Sequence, residues 1–142
     1  MRILVILHGM AAALSMAATI HLLILIPRRK RPPKWAAAGL LACLAVLFVL
    51  GWVAYPAFRT EVRFDLVRDP VRQWMANFFD VKEFLSYGAL LGGMAAAAIN
   101  LGHEPLPDPY RRAALWALGF LLFVLVFCSA AGITLGNYKI IS

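Results

Sequence analysis

The side chains in this sequence with chemistry to offer are few, and three of them are histidines: His8, His21 and His103. Imidazole titrates near neutrality and ligates haem iron, which takes two such ligands from facing helices. The other polar residues within apolar stretches are small and neutral: Ser15, Thr19, Ser86, Tyr87, Asn100, Ser129, Thr134 and Asn137. No nucleotide-binding loop, zinc motif or nucleophile triad is spelled anywhere in the chain. Cys43 and Cys128 stand alone inside apolar runs, where a thiol reads as a small hydrophobe rather than half of a disulfide, metal or redox pair.

The elements that must position the histidines follow from composition. Hydrophobic residues make up 63% of the 142, well above the half or so of a soluble domain, so the chain needs a solvent other than water. Charged residues are 15% and gather between the apolar runs. Ile3–Ile26, Trp35–Tyr55, Phe84–Gly102 and Ala113–Tyr138 contain no Asp, Glu, Lys or Arg. About 20 residues at 1.5 Å rise cross ~30 Å of hydrocarbon, and each run reaches or approaches that length. In lipid, an isolated segment satisfies its own amides only as a helix. The first run is also too long for the apolar region of a cleaved leader.

The predicted fold class is therefore all-α: a polytopic membrane protein, a four-transmembrane-helix bundle with an interfacial amphipathic helix between the second and third helices. One domain covers 1–142, with spans at about 3–26, 35–55, 81–102 and 110–136 and the interfacial segment at 57–79. Pro27 and Pro56 mark the ends of the first two spans. Asp80 with Glu83 three residues on reads as a capping box opening the third, and Asp108-Pro109 as the N-cap and first turn of the fourth. In 57–79, Phe58, Val62 and Leu66, then Val71, Trp74, Met75 and Phe78, form apolar stripes opposite Arg59, Arg63 and Arg72. Trp35, Trp52, Trp74 and Trp116 suit interface anchoring. Gly88 and Gly92 form a GxxxG pair, and Ala11–Ala13 and Ser129–Gly132 are further small-residue faces that let helices, or a neighbouring subunit, approach closely.

Net charge is +7, yet the basic residues flank the spans, which is a topology signal rather than a nucleic-acid surface. Arg28, Arg29, Lys30, Arg31 and Lys34 crowd one short turn, and Arg111 and Arg112 the other turn on that side. The expectation is a bacterial inner membrane, with both basic turns cytoplasmic and both termini periplasmic. The absence of charge deep in any span disfavours an ion-coupled transporter.

On this topology His21 and His103 lie at similar depth, with Ala17 and Ala18 beside His21 leaving room for a porphyrin. His8 lies at the opposite end, level with Glu83, Phe84 and Tyr87. His8 and His21 are 13 residues apart, roughly 220° around a straight helix, so they point to different faces. Two bis-histidine haems would need four imidazoles, and the chain has three.

Four spans carrying His8, His21 and His103 resemble the small membrane subunits of respiratory enzymes, the quinone-linked anchor subunits and b-type cytochromes. That resemblance implies a subunit of a larger electron-transfer complex, not an enzyme alone, which holds one haem b or contributes to a quinone site. His21 and His103 would then be the iron ligands and His8 a further cofactor-binding candidate, with Arg28 or Arg112 meeting a propionate. Its partners would be other membrane subunits, lipid and quinone, with no nucleic acid. The alternative is a cofactor-free accessory subunit that stabilises a membrane complex; a small transporter or channel ranks below both.

Overall fold

The chain is nearly all helix in a computed structural model that describes residues 2–28, 34–68, 70, 73–102 and 107–141. The helices are α1 (Arg2–Arg28), α2 (Lys34–Phe58), a π-helical turn over Arg59–Arg63, a short α3 (Phe64–Arg68), α4 (Gln73–Gly102) and α5 (Asp108–Ile141). Segments Ile3–Arg28, Lys34–Pro56, Gln73–Gly102 and Asp108–Gly132 are long and apolar enough to cross a membrane. The outer surface suits the same solvent: Ile3, Phe84 and Trp116 are 75%, 79% and 81% exposed, and a fully hydrated coat of this kind would be unfavourable.

The four long helices pack as a square. α1 lies against α2, α2 against α4, α4 against α5, and α5 closes back on α1. His8 of α1 stands against Gly51 of α2, Tyr55 of α2 bonds Glu83 of α4, and Lys82 of α4 stands against Gly132 of α5, so the start of α1, the end of α2, the start of α4 and the end of α5 share one end of the bundle. The basic-turn end is filled by apolar side chains; Leu22, Ile26, Leu40 and Leu118 are fully buried there, with Ala37, Ala96, Ala97 and Ala114 between them. At mid-height Gly93 of α4 lets Leu121 of α5 and Leu44 of α2 close together.

Two boundaries differ from the sequence-based expectation. Pro56 does not end α2; it sits inside the helix, which continues through the π-helical turn. A proline removes one amide donor, and the turn that follows re-registers the ladder; Thr60 Oγ1 donates to Pro56 O at 3.0 Å. Nor does the third long helix open at the Asp80–Glu83 capping box. α4 starts at Gln73, so Trp74, Met75 and Phe78, expected on an interfacial helix, belong to the first turns of the long helix. Met75 and Ala76 pack with Leu66 and Tyr55 in a small second core that ties α3 and α2 to α4. At the opposite end Asp108 begins α5 as expected, and Arg111 pairs with it at 2.9 Å while donating its backbone N–H to Pro107 O at 3.1 Å.

Candidate functional site

The inward stripe of α1 runs His8, Ala11, Ser15, Thr19, Leu22, Ile26, at steps of three and four residues. His8 is the top of that stripe. Its ring is half-buried against α2, with Cε1 3.4 Å from where a Cβ on Gly51 would stand, and its Nδ1 is buried without a hydrogen-bond partner. Below it, Thr19 Oγ1 donates back to Ser15 O at 2.7 Å, whereas Ser15 Oγ is buried and unpartnered.

His21 occupies a different face, as 13 residues of helix require. It is exposed, and its ring lies 5.5 Å from that of Trp35 on α2. His103 lies outside the described residues. α4 ends one residue before it, on the corner of the square diagonal to α1. An iron ligated by His21 would therefore sit on the outer surface rather than in the interior. Among the three histidines, only His8 is placed by the described residues against the inside of the bundle.

The sequence reading missed Lys82. The expected span 81–102 has Lys82 as its second residue, at the edge rather than deep in the span. With α4 starting at Gln73, Lys82 is nine residues into the helix and partly buried. Its ammonium stands 3.8 Å from where a Cβ on Gly132 of α5 would be. The Cys128 thiol, also on α5, lies close enough to donate weakly to Lys82 O at 3.9 Å. The signal that could have revealed it is the stripe Trp74, Met75 and Phe78, which continues at helical spacing through Lys82.

The acids on the same stretch are engaged elsewhere. Glu83 is not a cap: its Oε2 accepts from the Tyr55 hydroxyl of α2 at 3.0 Å, and its backbone carbonyl accepts from Ser86 Oγ at 2.8 Å. Asp80 receives a forked pair of bonds from Arg63, Nε to Oδ1 at 3.1 Å and Nη2 to Oδ2 at 3.0 Å. That hydrogen bond, and then the carboxylate's charge, raise the Arg63 pKa above its ordinary value. Arg59 lies 5.9 Å over the Tyr55 ring and Arg68 3.9 Å over Phe64. Arg72 lies outside the described residues. Among the described residues, this end of the bundle brings the His8 imidazole and the Lys82 ammonium into partly buried positions, with Asp80 and Glu83 already engaged by Arg63 and Tyr55.

The small-residue faces divide the same way. Gly93 is required by internal packing, but a Cβ on Gly88 or Gly92 would meet nothing within 4 Å. The GxxxG face of α4 is thus left open by the chain's own fold.

No family model, curated protein or solved structure matches this chain.

Proposed function

We infer that this chain is an integral membrane subunit of a larger electron-transfer assembly, with both termini on one side of the bilayer and partner subunits seated on its outer faces. The observation that carries the reading is the open Gly88–Gly92 face of α4, beside exposed Leu91 and Ala95. Small residues in lipid-facing helices earn their place where another helix packs on them, since burial from lipid alone contributes little. The electron-transfer class is supported by the histidines and by an interior end that carries imidazole and tyrosine. A haem b or a quinone would belong to the assembly, with His8 the interior candidate of this chain and a second ligand supplied from outside it. The segment 57–79 holds the headgroup level through Arg59, Trp74 and the α3 turn, and the basic turns face the cytoplasm of a bacterial inner membrane.

The test is made in native membranes. Solubilised in mild detergent, the chain migrates in a complex well above its own 15.7 kDa, and Gly88→Leu returns it to the position of the free chain. Deleting the chain lowers quinol-driven electron transfer, and the purified complex shows a Soret band or extractable quinone. Unchanged migration of Gly88→Leu together with unchanged electron transfer in the deletion strain would sink the proposal.

A second reading, the cofactor-free accessory subunit, is favoured by one observation: His21 is on the surface against Trp35, where it needs no iron to explain it. That reading expects His8→Ala, His21→Ala and His103→Ala to leave both assembly and electron transfer intact, while Gly88→Leu still disrupts assembly.

A further inference from the structure

The seam between α2 and α4 changes character along its length. From the α2 side, Phe48, Trp52, Tyr55 and Arg59 follow one another at steps of four, three and four residues, so they form one row along the helix and the turn that continues it. From α4, Glu83 and Tyr87 stand one turn apart. Side-chain contacts join the two rows. The Phe48 ring lies 6.4 Å from that of Tyr87, edge to face, and 6.2 Å from that of Trp52. The Tyr55 hydroxyl donates to Glu83 Oε2 at 3.0 Å, and the Arg59 guanidinium lies 5.9 Å over the Tyr55 ring. Phe48 and Trp52 are 37% and 64% exposed, so the aromatic row faces outward rather than into the bundle.

Depth sorts the members of the seam. Lys34–Pro56 is the stretch of α2 that can cross a membrane, so Tyr55 stands at its end, Arg59 just beyond it and Phe48 about 12 Å inside. α4 is 30 residues long, roughly 45 Å against ~30 Å of hydrocarbon, and the excess of about ten residues lies at its start, where Tyr55 ties Glu83 to the end of α2. A guanidinium, a carboxylate and a hydroxyl therefore sit at headgroup level, and an aromatic strip leads from them toward the bilayer interior. Interface anchoring accounts for the Trp52 ring. It does not account for a carboxylate held on the hydroxyl of a phenol ring whose face carries a guanidinium. A carboxylate has about four acceptor sites, and Tyr55 uses one of them, on Oε2.

We propose that this seam is a binding site for a phospholipid with a primary-ammonium headgroup, a phosphatidylethanolamine. Arg59 takes the phosphate and Glu83 the ammonium, Tyr55 holds the carboxylate in place, and an acyl chain lies along Trp52, Phe48 and Tyr87. Charge complementarity selects this occupant: the site offers both signs of charge, and a zwitterionic head answers both, whereas an anionic or uncharged head answers one or neither. A primary ammonium donates N–H bonds to the carboxylate, while a trimethylated one has none to donate. Charge-assisted bonds of this kind are about twice as strong as neutral ones. The site belongs to the single chain and does not depend on the assembly or on its redox chemistry.

The purified chain in a neutral detergent provides the test, with thermal unfolding followed as each lipid is added at the same mole fraction. Phosphatidylethanolamine raises the Tm more than phosphatidylcholine, which keeps the phosphate and loses the N–H donors. It also raises it more than phosphatidylglycerol, which keeps the phosphate and loses the ammonium. Glu83→Gln keeps an acceptor for Tyr55 and removes the charge; it raises the midpoint concentration for phosphatidylethanolamine about tenfold, to the level of phosphatidylcholine. Arg59→Gln weakens the response to all three lipids, since all three carry the phosphate. Lys34→Gln, at the other end of α2, leaves every response unchanged. Should Glu83→Gln fail to fold, Arg59→Gln, at an exposed position, decides in its place. Three results overturn the proposal: equal shifts with phosphatidylethanolamine and phosphatidylcholine, a shift undiminished in Glu83→Gln (or in Arg59→Gln where that variant decides), or a larger shift with an uncharged short-chain quinol than with phosphatidylethanolamine.

Discussion

Gly93 of α4 and Leu121 of α5 are packed so closely that a Cβ on Gly93 would come within 2.5 Å of Leu121 Cδ2, with Leu44 Cδ1 at 3.2 Å on the other side. Leu121 and Leu44 are fully buried, so neither can swing away into lipid. Gly93 is the residue that sets the distance between α4 and its two neighbours. Gly93→Ala is expected to lower stability by about 1–3 kcal/mol through overpacking, and Gly93→Leu to prevent folding. Gly88→Leu, which meets nothing within the chain, leaves the monomer's unfolding temperature in detergent nearly unchanged. Equal losses at the two positions would contradict this division of roles.

Tyr55 and Glu83 tie the end of α2 to α4 by one hydrogen bond at 3.0 Å. Tyr55→Phe removes the donor and keeps the ring, so the expected loss is roughly 0.5–1.5 kcal/mol. Glu83→Gln keeps an acceptor and costs less. Thermal unfolding of the two variants gives the comparison, and a larger loss in Glu83→Gln would show that the carboxylate serves something beyond Tyr55.

The Arg63–Asp80 fork has good geometry but stands in partly solvated surroundings, with side chains 35% and 38% exposed. Its coupling energy in a double-mutant cycle of Arg63→Ala and Asp80→Ala should fall below about 1 kcal/mol and shrink as salt rises. A salt-independent coupling of several kcal/mol would mean that the pair is buried in the assembled protein.

The two ends of the bundle are distinguishable by labelling. With Cys43 and Cys128 replaced by Ala, single cysteines introduced at Lys34 and Pro107 should react with an impermeant maleimide from one side of the membrane. Cysteines at Arg59 and Gln73 should react from the other. Labelling of Pro107 and Gln73 from the same side would break the antiparallel square.

His21→Ala is expected to change stability by no more than about 0.5 kcal/mol, because the ring is exposed and rests only on Trp35. His8→Ala opens space beneath Gly51 and removes an unpartnered polar atom, so loss of packing and relief of desolvation oppose each other. A variant that unfolds on losing His21 would show that the imidazole has a partner outside the single chain.

The sequence by itself determined that there are four long apolar helices, because uncharged runs near 20 residues leave a lipid-solvated backbone no other way to satisfy its amides. It also determined that His8 and His21 face apart, since that depends only on the 3.6-residue turn. The start of α4 was not legible. Asp80 and Glu83 have cap spacing, and only the packing of Met75 and Ala76 on Leu66 and Tyr55 shows that helix already exists before them. That shift of one boundary moved Lys82 from the second residue of the expected span 81–102 to nine residues inside the helix. Which helices are diagonal, and that Glu83 and Asp80 are held by α2 and the turn beyond it, is a matter of three-dimensional neighbourhood. Spacing along one chain carries no information about which faces of different helices are brought together; the close approach at Gly93 and Leu121 decides that.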